Sequence, residues 1–276
     1  MRLKKSLILG LPSLFMAATA ASAADYGVGV RNPVTQNAVD INNLVGIIAP
    51  IAIGITLFVF VLMGYIMFRF REKANPVPSK TTHNTLLEVV WTIVPVLILV
   101  VMAVPSIKYL YNIDVVEDTV VRVKATGNTW NWSYEYPDYE DLDSILSIPL
   151  EEDEAQAAGK PYLLGTDYPL VVPSGTRVKV EVTSSKNLHG FTVPDFGVKI
   201  DAIPGITNEI WFEVFEGKEG TYYGQCAELC GVNHYKMPIE VKVVSKEEFD
   251  AWVANGGSFE VAQNENGGTL MAAAQE

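Results

Sequence analysis

Two long apolar runs decide most of what this chain can become. Residues 44–68 hold no charged side chain, and residues 86–107 hold one, Glu88. Each run is long enough for a helix to cross a hydrocarbon core about 30 Å thick. Arg69, Arg71, Lys73 and Lys80 stand between them. Basic loops stay on the cytoplasmic side, so the chain is expected to cross and return as a hairpin. Pro95 and Pro105 lie in the second run, where membrane helices tolerate proline. Glu88 sits near the cytoplasmic end. A carboxylate in a span is costly and marks function, unless it snorkels to the nearby interface.

The flanks agree with that topology. Residues 1–24 read as a signal peptide: Arg2, Lys4 and Lys5, an apolar stretch to Ala18, then Ala21-Ser22-Ala23 as a small-residue cleavage site. Residues 25–43 are polar and form an outer-face N-terminal segment. The hairpin, residues 44–111, thus leaves both ends of the mature chain outside the cytoplasm.

Beyond it the period of the pattern changes. The stretches 119–124, 177–182, 209–214 and 239–244 alternate apolar and polar side chains, with Gly and Pro clusters between them. Residues 112–245 are expected to form an all-β antiparallel sandwich of Greek-key type. Residues 246–276 follow as a short helix, Lys246 to Ala254, and a Gly-, Asn- and Ala-rich tail expected to be disordered. The sandwich region holds 10 Lys and Arg against 22 Asp and Glu, or 10 − 22 = −12. That balance excludes nucleic acid as a partner and favours a basic protein. The run Glu135 to Asp143 follows an aromatic stretch and is the expected docking surface, through Glu135, Asp138, Glu140, Asp141 and Asp143. Glu151 to Glu154 reads as an exposed insertion loop.

Both cysteines fall in one short segment, Gly224 to Pro238, which reads C-x3-C-x3-H-x2-M. Cys226, Cys230, His234 and Met237 are all donors for a soft metal, and His189 lies upstream in Asn187-Leu188-His189-Gly190-Phe191. Spacing alone leaves three chemistries open. A disulfide between residues four apart closes too small a loop to stabilise much. Zinc fingers pair their histidines locally, and only one is local here. Copper suits thiolate, imidazole and thioether together. Gly224, Gly231 and Pro238 make the segment a loop. His83 is an ordinary loop histidine, and no CxxCH for haem attachment is present.

The run CAELCGVNHYKMP resembles the copper loop of cytochrome c oxidase subunit II, the CuA-bearing subunit of bacterial aa3-type haem-copper oxidases. The likeness extends to the hairpin, to Trp130-Asn131-Trp132-Ser133-Tyr134-Glu135-Tyr136-Pro137 and to Lys199-Ile200-Asp201-Ala202-Ile203-Pro204-Gly205. It implies a cupredoxin fold and two copper ions bridged by Cys226 and Cys230. His189 and His234 would bind one copper each, Met237 weakly, and the Glu228 carbonyl would complete the set. The Glu228 side chain would reach a magnesium ion shared with subunit I. By the same likeness Trp130 accepts electrons from cytochrome c, and Glu88 stands at the mouth of a proton path. Trp132 is read as core. Asp201 is a plausible hydrogen-bonding neighbour of the ligands. Subunits I and III and cytochrome c would be partners, in the inner membrane of a bacterium with the copper domain on the periplasmic face. Oxygen reduction would belong to the haem-bearing subunit I. Two departures stand out: Lys186 replaces an aspartate three residues before the first histidine ligand, and Ile206 replaces an arginine after Ile-Pro-Gly. A copper-free quinol-oxidase-like subunit and an outer-face zinc module are the competing readings.

Overall fold

The computed structural model describes residues 33–114, 119–140 and 142–259. The expected signal peptide, residues 25–32 of the N-terminal segment, residues 115–118, Asp141 and the stretch from residue 260 lie outside the described residues.

Two long helices come first, α1 (Gln36–Arg69) and α2 (Thr85–Asp114). Their most apolar windows have mean hydropathies of 2.7 and 2.6 and bury nothing inside the protein. Pro50, Pro95 and Pro105 are carried within them. Helix α1 begins at Gln36, well before the apolar run at Leu44. Thr35 caps it, its hydroxyl accepting from the Ala38 amide at 3.1 Å. Asn37, Ala38 and Asp40 are buried there, and they are the only buried residues of α1. The polar segment before the membrane run is thus the first turn of the helix, seated on the β domain. Thr35 Oγ1 donates to the Phe196 carbonyl at 2.7 Å. Asn37 Nδ2 donates to the Trp211 carbonyl at 2.9 Å, and the Phe215 amide donates to the Val34 carbonyl at 2.9 Å.

The β domain comprises β1 (Val121–Gly127), β2 (Trp132–Glu135), β3 (Ile145–Ser147), β4 (Leu170–Pro173), β5 (Arg177–Ser184), β6 (His189–Val193), β7 (Val198–Ala202), β8 (Asn208–Glu213), β9 (Gly220–Gln225) and β10 (Pro238–Val244). Three sheets form, in the orders β3-β2-β1-β5-β8, β4-β10-β9 and β6-β7. The pairing is mixed rather than purely antiparallel. Strand β1 runs parallel to β5, and β4 parallel to β10. Parallel neighbours need long crossovers, and period-two alternation, the same for both pairings, does not reveal them.

Alternation places Val121, Val123 and Ala125 of β1 inside, with Val178, Val180 and Val182 of β5 and Ile210 and Phe212 of β8. Each such side chain contributes about 1.5–3 kcal/mol on full burial. Trp132, Tyr134, Phe191, Phe196 and Phe212 fill the space between sheets. Strand β9 passes so close to β6 that a Cβ on Gly224 would stand 1.9 Å from the Thr192 carbonyl oxygen. Two further helices complete the domain. The acidic run folds as a short helix, α3 (Glu152–Ala157), rather than as a loop, with Glu151 and Glu154 forming a capping box. Helix α4 (Lys246–Ala254) starts at Ser245 with a second capping box.

Candidate metal centre

The donors come from two places at one end of the sandwich. His189 is the first residue of β6, and the loop between β9 and β10 carries Cys226, Cys230, His234 and Met237. Backbone bonds lock these pieces together. The Ala227 amide donates to the Gly190 carbonyl at 3.0 Å, and the Cys226 amide donates to the Met237 carbonyl at 3.0 Å. The Cys230 carbonyl accepts from Trp130 Nε1 at 3.2 Å and from Asn187 Nδ2 at 3.0 Å. Three loops, including the β1–β2 turn that bears Trp130, therefore meet on one cysteine.

The side chains form a run of successive contacts, bent at Cys226. His189 Nδ1 lies 3.8 Å from Cys226 Sγ, the two sulfurs are 3.8 Å apart, and Cys230 Sγ lies 3.7 Å from His234 Nδ1. The Glu228 carbonyl oxygen is 3.3 Å from Cys226 Sγ. Both cysteines are free and buried. Their separation far exceeds the ~2.05 Å of a disulfide. Two sulfurs about 2.3 Å from a shared tetrahedral ion would stand about 3.8 Å apart, so the two cysteines are spaced to bind a common metal. His189, Cys226 and Cys230 lie within 4.8 Å of one another, and His234 stands outside that trio. His234 thus faces Cys230, whereas His189 touches Cys226 and lies near both sulfurs.

The surroundings are dry. His189 is fully buried, its Nε2 has no partner, and Trp132 packs edge-on against it at 6.0 Å. A Cβ on Gly127 would come within 2.9 Å of the imidazole, so glycine there makes room for the ring. Burial, then the neighbouring His234, holds the His189 imidazole below its ordinary pKa. Burial and the Cys226 sulfur push the Cys230 thiol up to about 12. Met237 is buried at the head of β10.

The other singled-out residues are scattered. Trp130 is half-buried over Gly231, and Trp132 is core, in T-shaped contact with Phe191 at 5.4 Å. Asp201 is not brought to the ligands. It pairs with Gly190 while Ala202 pairs with His189, so alternation turns its exposed side chain to the opposite face. Glu135 and Asp138 pair with Lys124 and Arg122. Asp138 is therefore about 17 Å along β1 from Gly127, and Glu140 and Asp143 follow it in an exposed loop. The acidic helix α3 lies nearer the donors, because Glu151 pairs with Lys236 of the metal loop. Glu88 accepts the Asn84 amide at 3.1 Å and helps cap α2. Lys186 and Ile206 are exposed. Asn187 and Gly127 carry no recognisable motif and were not singled out by the sequence.

Fold and donors define a membrane-anchored, cupredoxin-like β-sandwich with a soft-metal site at one end. The sequence profile of the cytochrome c oxidase subunit II periplasmic domain matches residues 121–244, and that of its transmembrane domain matches residues 23–109. The chain belongs to the cytochrome c oxidase subunit II family. It is 44% identical over 207 residues to a probable cytochrome c oxidase subunit 2 of Rickettsia felis, covering 74% of this chain and 64% of that relative. A second such protein, from Rickettsia bellii, is 37% identical over 267 residues, covering 96% of both. Among solved structures, the periplasmic domain of subunit II of cytochrome oxidase from Bradyrhizobium japonicum shares 43% identity, covers 51% of this chain and 96% of that one, and gives a TM-score of 0.46.

Proposed function

We propose that this chain takes electrons from a cytochrome c at a binuclear copper centre and passes them to haem in subunit I of a haem-copper oxidase. The observation that carries this reading is the run of four donors, imidazole to sulfur to sulfur to imidazole, at successive contacts of 3.8, 3.8 and 3.7 Å, with His234 outside the trio that His189 forms with both sulfurs. Cys226 and Cys230 would bridge two coppers, and His189 and His234 would take one each. Met237 and the Glu228 carbonyl would be the weak ligands. When bound, a sulfur-bridged copper pair supplies a one-electron centre whose charge is spread over both metals.

The protein's own part is to hold the donors still. Backbone bonds from Gly190 and Met237 and the two donors on Cys230 fix the loop, so little has to move on reduction. Trp130 gives a path from the surface, since its indole N–H touches the Cys230 carbonyl. Exposed Leu188, Leu229, Val232 and Tyr235 ring this end, which suits an apolar contact with a partner. The Glu228 carboxylate would hold a magnesium ion against subunit I, and Glu88 would stand at a proton path. The acidic residues Glu135, Asp138, Glu140, Asp141 and Asp143 would steer a basic donor. Subunit III, the bacterial inner membrane and a periplasmic copper domain belong to the same reading.

A single zinc ion is less well supported, because it would need all four donors around one point. The test is to load the full chain, purified in detergent, with copper and record optical and EPR spectra. The expected signal is one unpaired electron shared by two equivalent copper nuclei. Cys226→Ser should abolish it, and Trp130→Phe, which also removes one donor to the Cys230 carbonyl, should keep the two-copper signal with at most a small shift while slowing reduction by cytochrome c at least tenfold. A mononuclear signal, or zinc retained in place of copper, sinks the proposal.

A further inference from the structure

A cleft of about 430 Å³ opens where the membrane helices meet the β domain. Asn37 and Asp40 of α1, Tyr111 and Asn112 of α2, Arg177 of β5 and Trp211 of β8 line it. We propose that it binds the headgroup of an amine-bearing phospholipid from the leaflet next to the β domain.

Depth is the first argument. Asp40 lies four residues before the apolar run that starts at Leu44, and Tyr111 lies four after the run that ends at Ile107. At 1.5 Å per residue both stand about 6 Å beyond the hydrocarbon. The headgroup layer is about 5–7 Å thick on each side. Two helices thus place the cleft independently at the level of the lipid phosphates.

Chemistry is the second. The Trp211 Nε1–H is a buried donor with no partner among the described residues, and such a group is costly to leave unpaired. The Arg177 guanidinium stands over the same indole ring at 4.7 Å and also lies 3.9 Å from a Glu213 carboxylate oxygen. Together they can take a phosphate diester. Asp40 brings the opposite charge. It is 7% exposed, and its carboxylate accepts from Gln36 Nε2 at 2.8 Å. The Asn37 amide is spent on the Trp211 carbonyl and holds that strand against the helix. A purely anionic headgroup would meet Asp40 unpaired. A phosphate carrying an ammonium arm satisfies both charges at once.

The test uses the full chain in nanodiscs of equal phosphatidylethanolamine, phosphatidylcholine and phosphatidylglycerol, followed by native mass spectrometry. One phosphatidylethanolamine should stay bound per chain. Trp211→Phe keeps the ring beneath Arg177 but removes the N–H, and should cut retention about tenfold. Asp40→Asn should let phosphatidylglycerol compete. Glycerophosphoethanolamine, which has no acyl chains, should displace little of the lipid; equal binding would make the ligand a free phosphodiester. Copper content serves as the check that both variants fold. No retained lipid, or retention and headgroup choice unchanged in both variants, overturns the proposal.

Discussion

The two ends of the β-sandwich are finished in opposite ways. The end away from the donors is closed by the chain itself. Tyr136, Tyr139, Phe249 and Trp252 stack there at 5.3–6.3 Å, and Tyr136 Oη donates to the Val171 carbonyl at 2.7 Å. The membrane helices attach to the same side, through Thr35 on the Phe196 carbonyl and through Asn37 on the Trp211 carbonyl. The donor end is left open. Leu229 and Val232 there are 77% and 78% exposed, and the loops are held by single hydrogen bonds. Strand β6 carries His189 at one end and leads to Phe196 from the other, about 14 Å along the strand. The contrast teaches a division of labour: one end secures the fold and its anchor, and the other holds chemistry out toward whatever docks on it.

The largest expected effect tests whether the ends are separable. Phe249→Ala removes a fully buried ring and should cost about 3–5 kcal/mol of stability. Copper spectra below the melting transition should not change. A copper signal lost ahead of unfolding would show that the closed end also shapes the site.

Lys160→Met comes next. Glu240 is 3% exposed and accepts from Lys160 Nζ at 3.1 Å and from the Thr166 amide at 2.6 Å. Removing the cation strands a buried carboxylate, at about 2–3 kcal/mol once the partial exposure of Lys160 is allowed for. The same excursion carries Glu151, which pairs with Lys236. Chemical denaturation gives the cost. A copper spectrum altered as well would mean that the excursion braces the metal loop.

Asn187→Ala acts at the open end. It deletes one of two donors to the Cys230 carbonyl and should cost about 1 kcal/mol, yet shift the copper spectrum. An unshifted spectrum would leave Trp130 as sufficient support for that cysteine.

Much of this was legible because the residues act locally. The strands β1, β5 and β8 alternate between buried and more exposed side chains, and the copper loop carries its donors within a few residues. What was missed depends on contacts across the chain. Asn37 and Asp40 look like part of a polar leader, and only the seat on β8 makes them helical and buried. Asp201 looks like a neighbour of the ligands by sequence, but its register with Gly190 turns it away. Asn187 has no motif; its role exists only because the Cys230 carbonyl arrives beside it.

The smallest effect concerns the acidic run at the closed end. Asp138 is held below the usual carboxylate range by its hydrogen bond to Arg122. A depressed carboxylate adds stability that is present above its unfolded pKa of about 3.9 and is lost as pH falls through the folded value. Asp138→Asn should therefore lower the melting temperature slightly at pH 7, and the difference should fade as pH falls below about 3.9. The shift should shrink in high salt, since the pair is solvent-facing. The same variant bears on docking. A carboxylate already neutralised by Arg122, about 17 Å from the donor end, should steer a basic partner weakly. Neutralising Glu152, Asp153 and Glu154 together, beside the Glu151–Lys236 contact, should slow cytochrome c turnover at low salt more than Asp138→Asn does. The reverse ranking would return the docking surface to the Glu135–Asp143 run.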